Sequence, residues 1–129
     1  MTTPRYVPRD YIADGYRPLF GKTAKVPWAP QDSQAREEQL EAARLQHVYA
    51  VVIRNKIKTE YGSIRAYAKA AHQDQQRLAR VLRGRTVMRL DDIGTAAVLL
   101  GDVHASVWQF LSQSPPQAPG RRQATSRPN

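Results

Sequence analysis

The chain has 129 residues, a hydrophobic share of 41% and a formal net charge of +9, which suits one domain with its tails. It contains no cysteine, so disulfides and thiolate metal sites are excluded. No stretch approaches the ~20 apolar residues of a membrane helix, and residues 1–30 lack the apolar core of a signal peptide. We therefore expect a soluble protein of the cytoplasm.

The positive charge is concentrated in the middle of the chain. Residues 63–89 contain seven basic side chains and one acidic side chain, Asp74, whereas residues 90–111 contain three acidic side chains and no lysine or arginine. A basic segment beside an acidic one indicates a surface for an electronegative polymer, although a generically basic, solvated surface has the same composition.

Residues 1–31 show neither helical nor strand periodicity, and their five prolines exclude a long helix. They predict an extended arm whose aromatic residues anchor it on the domain or on a partner. These aromatic residues are Tyr6, Tyr11, Tyr16, Phe20 and Trp28. Three arginines among them also suit wrapping around DNA, but the aromatic density favours a packed or partner-binding arm. These arginines are Arg5, Arg9 and Arg17.

A long first helix is predicted to begin at Asp32 or Ser33, either of which can act as its N-cap, and to stop at Tyr61-Gly62. Apolar residues at helical spacing predict the side that faces the core. They are Leu45, Val48, Val52 and Ile53.

Two short helices come next. Ser63 can cap the first, over 64–71, and a break at His72-Gln73 separates it from the second, over 75–83, which Asp74 can cap. Gly84 stands where a left-handed residue ends a helix.

Two more helices complete the prediction. The first contains Leu90, Ile93, Ala97 and Leu100 at helical spacing. The second begins near Asp102 and points Val103, Val107, Phe110 and Leu111 inward. The fold class is therefore all-α, a compact bundle of about five helices over 32–111, and residues 112–129 form a disordered basic tail.

The pair of short helices meets the requirements of a helix-turn-helix that places its second helix in the major groove. Gln75 and Gln76 can bind adenine through paired amide contacts, and Arg77 and Arg80 are further base-reading candidates. Other basic residues suit contacts to phosphate, which fix register. They are Arg65, Lys69, Arg83, Arg85 and Arg89.

Residues 57–100 resemble the lambda-repressor-like helix-turn-helix family, also described as Cro/repressor-type or XRE-like. Tyr67-Ala68 stand where that family usually has Leu-Ala, and 74–78 resemble the cap, base-reading positions and buried aliphatic of its recognition helix. Gly84 with its basic neighbours resembles the close of that helix, and the segments 90–93 and 96–101 resemble the family's fourth helix. His72 and Gln73 depart from the usual Gly and aliphatic of the turn, which predicts a His at positive φ.

The sequence shows no clear pattern of a catalytic or metal-binding site, and we expect no cofactor. The three histidines are too dispersed for a helical ligand pair, and Asp91-Asp92 suit the first turn of a helix better than acid–base catalysis. Trp28 and Trp108 are predicted to be packing anchors rather than base-stacking platforms.

The leading hypothesis is a sequence-specific regulator of transcription, a repressor of phage or bacterial type that binds double-stranded DNA in the nucleoid. The resemblance implies a homodimer on a two-fold site, for which 103–111 is the candidate surface, unless that helix belongs to the core. Two alternatives stay open. One is a protein-interaction module, antitoxin-like or a regulator of another protein, whose arm, residues 1–30, binds a protein partner. The other is a sequence-tolerant architectural DNA binder.

Overall fold

The computed structural model describes residues 6–113, and within this range the protein is all-α, as predicted. Two short 3₁₀ helices, Pro8–Tyr11 and Arg17–Leu19, precede five α-helices. These are α1 (Gln34–Glu60), α2 (Ile64–Ala71), α3 (Gln75–Leu82), α4 (Leu90–Leu100) and α5 (Val103–Gln113). Extended pairing in the described range is limited to one antiparallel bridge between Ile12 and Trp28. Over the same residues, no helix has both the length and the apolar character to cross a membrane.

Side-chain caps begin three of the helices where the sequence predicts them. The Ser33 hydroxyl accepts the Arg36 N–H at the start of α1. Ser63 does the same for α2, and the Asp74 carboxylate does so for α3. Because the first amide groups of a helix have no partner inside it, these oxygens stabilise each start by ~1 kcal/mol.

Helix α1 runs through the centre of the protein and contacts the arm and all four other helices. Its buried side carries Ala43, Ala50 and Ile57, and also two polar residues, Gln46 and His47. Leu45, which we predicted to face the core, is 45% exposed because it lies off this stripe.

The last two helices correct three further predictions. Leu90 is 86% exposed because it is the first residue of α4, and Ala96 and Leu100 are the residues of α4 that enter the core. Trp108 is 71% exposed and is not a packing anchor. Of the residues predicted to face inward on α5, Val103 and Val107 are buried, Phe110 is half-buried and Leu111 is exposed.

Residues 6–31 of the arm pack onto the helical bundle. Ile12 and Phe20 are buried in the same apolar cluster as α1 and α3, and Trp28 packs against that cluster. The Arg9 N–H donates to the carbonyl of Gly84 at 2.9 Å. Of the two preferred roles of the arm, packing is confirmed for residues 6–31, although these residues form two 3₁₀ turns and not a simply extended arm. The predicted tail beyond Gln113 lies outside the described residues.

His47 of α1 joins the arm to the bundle. Its ring is 2% exposed, and Nδ1 accepts the Gly21 N–H at 2.9 Å while Nε2 lies 3.3 Å from the Ala24 carbonyl. The rings of Phe20 and Trp28 pack edge-on against it. A neutral imidazole protonated at Nε2 satisfies both contacts, whereas a second proton on Nδ1 would meet the Gly21 N–H.

Stability should therefore fall in mild acid. Burial lowers the pKa of His47 below its ordinary value, and the backbone hydrogen bonds to Ala24 and Thr23 oppose this only in part. The unfolded chain takes up the proton first, so the free energy of unfolding should decrease as the pH falls below about 6.5, by up to ~1.4 kcal/mol per pH unit. Urea unfolding at pH 7.5 and 5.5 measures this loss. It should be smaller in His47→Gln and unchanged in His72→Gln, and an equal loss in all three proteins would contradict the assignment.

Candidate nucleic-acid interface

Helices α2 and α3 are joined by a tight turn in which His72 has a left-handed conformation. Its φ is 56° and its ψ is 44°, and among the described residues it is the one non-glycine residue with positive φ. The His72 N–H donates to the Lys69 carbonyl, and the Gln73 N–H donates to the Ala68 carbonyl at 2.9 Å. This is the hydrogen-bond pattern of a Schellman motif, so the expected positive φ at His72 is confirmed.

Small and apolar residues fix the two helices against the core. Ala68 is 2% exposed, and its single methyl group permits close packing between α2 and α3. Leu78, Val81 and Leu82 form the buried side of α3. Gly84 then ends α3 at φ 76°, with the ring of Phe20 beneath it. Because an isolated helix of eight residues is marginal in water, these contacts hold α3 in place.

The opposite side of α3 is exposed and polar. Gln75, Gln76 and Arg80 all face solvent. Gln76, Arg80 and Arg83 are separated by four and three residues and therefore share one face of the helix and its end. Amide and guanidinium groups are the donors and acceptors that pair with the major-groove edges of adenine and guanine.

Arg77, predicted as a fourth base-reading residue, does not belong to this face. Its guanidinium forms a two-pronged ion pair with Asp92 at the start of α4, with Nη1 3.3 Å from Oδ2 and Nη2 in closer contact with Oδ1. The Asp92 side chain is 4% exposed and also accepts the Arg89 N–H at 3.0 Å. Arg77 therefore holds α3 against α4, because withdrawing it would leave a buried carboxylate unpaired.

The residues assigned to phosphate lie on α2 and in the segment between α3 and α4. Arg65 and Lys69 are one turn apart on α2, and Arg83 and Arg85 lie just beyond α3. All four are exposed, and none of them enters an ion pair within residues 6–113. Arg89 differs, since its Nε lies 3.7 Å from an oxygen of Asp91.

Gln46 is a positioning residue that sequence reasoning missed. Its buried amide donates to the carbonyls of Val81 and Thr86 and accepts the Met88 N–H, all within 2.9–3.0 Å. One side chain of α1 thus satisfies the backbone at the end of α3 and in the loop after it. The available signal was its spacing, since Gln46 follows Ala43 by three residues and precedes Ala50 by four, on the same face of the helix.

Tyr67 lies on the buried side of α2, and its pKa differs from the ordinary tyrosine value. Burial, with smaller contributions from Tyr61 and Asp92, raises the pKa of Tyr67 to about 12, so its hydroxyl stays protonated at neutral pH. His104 bonds to the Tyr49 hydroxyl, and no cluster of metal-binding side chains occurs in the described part of the chain.

Comparison of the chain with protein-family models, with curated proteins and with solved structures gave no match. The function of this surface is therefore inferred from its geometry and its charge.

Proposed function

We propose that this protein is a sequence-specific regulator that binds duplex DNA, with α2 and α3 forming a helix-turn-helix and α3 serving as the recognition helix. The observation that carries the proposal is the exposed row of Gln76, Arg80 and Arg83 on a short, capped helix. Exposed basic residues on α2 and just beyond α3 add to that row, and three of them form no ion pair within residues 6–113: Arg65, Lys69 and Arg85.

The helix is suited to the major groove, which is about 12 Å wide and admits one α-helix. Its N-terminal residues Gln75 and Gln76 can each pair with an adenine, and Arg80 can bridge the two acceptors of guanine. Phosphate contacts then come from Arg65 and Lys69 on one side and from Arg83, Arg85 and Arg89 on the other. Because α3 is held by the core, by Gln46 and by the Arg77–Asp92 pair, little ordering remains to be done on binding.

Base reading can be tested at the first turn of α3. Replacing Gln75 or Gln76 with Ala should cost about 1–3 kcal/mol at the preferred site and relax specificity there, because a paired amide contact to one base is lost. The site itself comes from selection of bound fragments out of random duplex DNA, and fluorescence anisotropy then measures affinity for selected and random duplexes.

Arg65→Gln and Arg85→Gln are the matched controls, since both are exposed and are assigned to phosphate. They should weaken binding to all duplexes to a similar extent. If the glutamine and arginine variants lose equal affinity for selected and random DNA, base reading by Gln75 and Gln76 is wrong. The protein would then be a sequence-tolerant binder.

A protein-interaction function is the second candidate, and exposed apolar side chains on α4 and α5 favour it. Leu90, Val98 and Trp108 are all more than two-thirds exposed. Two apolar residues of the candidate dimer helix, Val103 and Val107, are already buried inside the domain, so a second copy would have to use the side of α5 that carries Trp108. An arm-based partner is less favoured, because Tyr11 and Phe20 are buried within the protein. Folded protein without affinity for duplex DNA would place this function first.

A further inference from the structure

A second group of positive charges lies where the arm, α1 and the end of α3 meet. Arg54 of α1 extends across the arm, and its Nε–H donates to the Gly21 carbonyl at 3.1 Å. Gly21 itself is pressed against the last turn of α3, since a Cβ at this position would lie 2.2 Å from the Leu82 carbonyl oxygen. The residue after Leu82 is Arg83, the C-cap of α3.

Arg54 and Arg83 have no carboxylate partner in the described part of the protein. The same holds for Arg9 of the arm, whose N–H donates to the Gly84 carbonyl just after Arg83. The five ion pairs found there use other arginines and leave out Arg9, Arg54 and Arg83. Buried nitrogens of Arg54 (Nη2) and Arg9 (Nε) also lack hydrogen-bond partners.

The charges of Arg54 and Arg83 also repel each other. The contacts from Arg54 to Gly21 and from Gly21 to Leu82 bring Arg54 close to Arg83. Consistent with this, burial and, to a smaller extent, the charge of Arg83 lower the pKa of Arg54. Two neighbouring cations, of which Arg54 is half-buried and Arg83 is exposed, attract an anion, and a phosphate oxygen accepts charge-assisted hydrogen bonds from both. An arrangement that is unfavourable in the free protein therefore becomes favourable when a phosphate binds.

We propose that Arg54 and Arg83 together hold a backbone phosphate of the bound DNA, and that the arm positions Arg54 for this contact through Gly21. The inference rests on the proposed function. Arg83 ends the exposed face that begins at Gln76, and the seven residue steps from Gln76 to Arg83 span about 10 Å along a helix. That length is close to the ~12 Å width of the major groove, so a helix that reads bases at its start brings its end to the sugar-phosphate backbone.

The test is a salt titration of DNA binding with the full chain and a mixed-sequence duplex. Each lost phosphate contact should lower the steepness of the log affinity–log salt plot by about 0.9. Arg54→Gln should show this decrease, whereas Arg54→Lys, which keeps the charge, should retain the wild-type slope. Arg44→Gln is the matched control, because it removes the same charge from the same helix ten residues, or about 15 Å, away.

A purely structural role for Arg54 predicts different results. Arg54→Gln would then lower the melting temperature but keep the slope, and Arg54→Lys would resemble it, since the hydrogen bond to Gly21 would be what matters. Either result overturns the proposal. If Arg54→Gln does not fold, Arg83→Gln replaces it, because Arg83 is exposed, and an unchanged slope there also overturns the proposal.

Failure of the proposed function would look different again. The wild-type protein would fail to bind the duplex, or its log affinity–log salt plot would have a slope near zero. Either result would rule out both the proposed function and the phosphate site.

Discussion

Replacing Arg77 with Met is expected to lower the free energy of unfolding by about 3–5 kcal/mol, although Arg77 lies on the helix that we propose to enter DNA. The carboxylate of Asp92 is almost fully buried and receives both prongs of the Arg77 guanidinium. Without Arg77, the single N–H of Arg89 would be its remaining hydrogen-bond donor among the described residues. Urea unfolding followed by circular dichroism measures the loss.

Two controls separate burial from charge in this prediction. Arg36→Met removes an arginine from the ion pair with Asp32, whose members are both largely exposed, and should cost no more than ~1 kcal/mol. The double variant Arg77→Met/Asp92→Leu should recover most of the lost stability, because it leaves no unpaired charge. If Arg77→Met is as mild as Arg36→Met, the pair does not join α3 to α4, and Arg77 returns to the base-reading set.

Replacing Phe20 with Ala is expected to cost a similar 3–5 kcal/mol. The side chain is 1% exposed and fills the space between the arm, His47 and the backbone at Gly84. Removing the ring deletes apolar contact and leaves a cavity below the end of α3. Thermal and urea unfolding of the full chain measure the effect.

Tyr16→Ala is the matched control for Phe20→Ala, since it removes an aromatic ring from the same arm at a position that is about half exposed. It should change stability by less than ~0.5 kcal/mol. Equal and small effects of both variants would show that the arm is independent of the domain. Point variants are the better test of the arm's part in DNA binding, because deletion of residues 1–30 removes part of the core.

Both predictions concern residues that are distant from α3 along the chain but stabilise its position. Asp92 and Phe20 contact opposite ends of a helix that has only eight residues, and Gln46 binds the backbone near its C-terminus. Stability and DNA affinity are therefore expected to be coupled at these positions, whereas Gln75 and Gln76 should affect affinity alone. Measuring stability and DNA affinity for each variant distinguishes residues that hold α3 in place from residues that contact DNA.

Local chemistry made several elements of this protein predictable from the sequence. Ser63 and Asp74 precede helices whose first amide groups need acceptors, and both cap as expected. Gly84 and His72 end helices in the left-handed region, which the hydrogen bonds of a helix end require. These interactions join residues at most five positions apart, so the one-dimensional pattern contains all of their determinants.

The tertiary structure alone decided which polar residues are available for binding. The partners of Arg77, Gln46, His47 and Arg54 lie between 15 and 42 residues away along the chain, and no local pattern pairs them. The sequence of α3 alone predicts that Arg77, its third residue, is exposed. Arg77 has a structural role because α4 places the buried carboxylate of Asp92 beside it. The arm lacks periodicity because its turns pack through single aromatic side chains, so its burial depends on the surface that α1 and α3 form together.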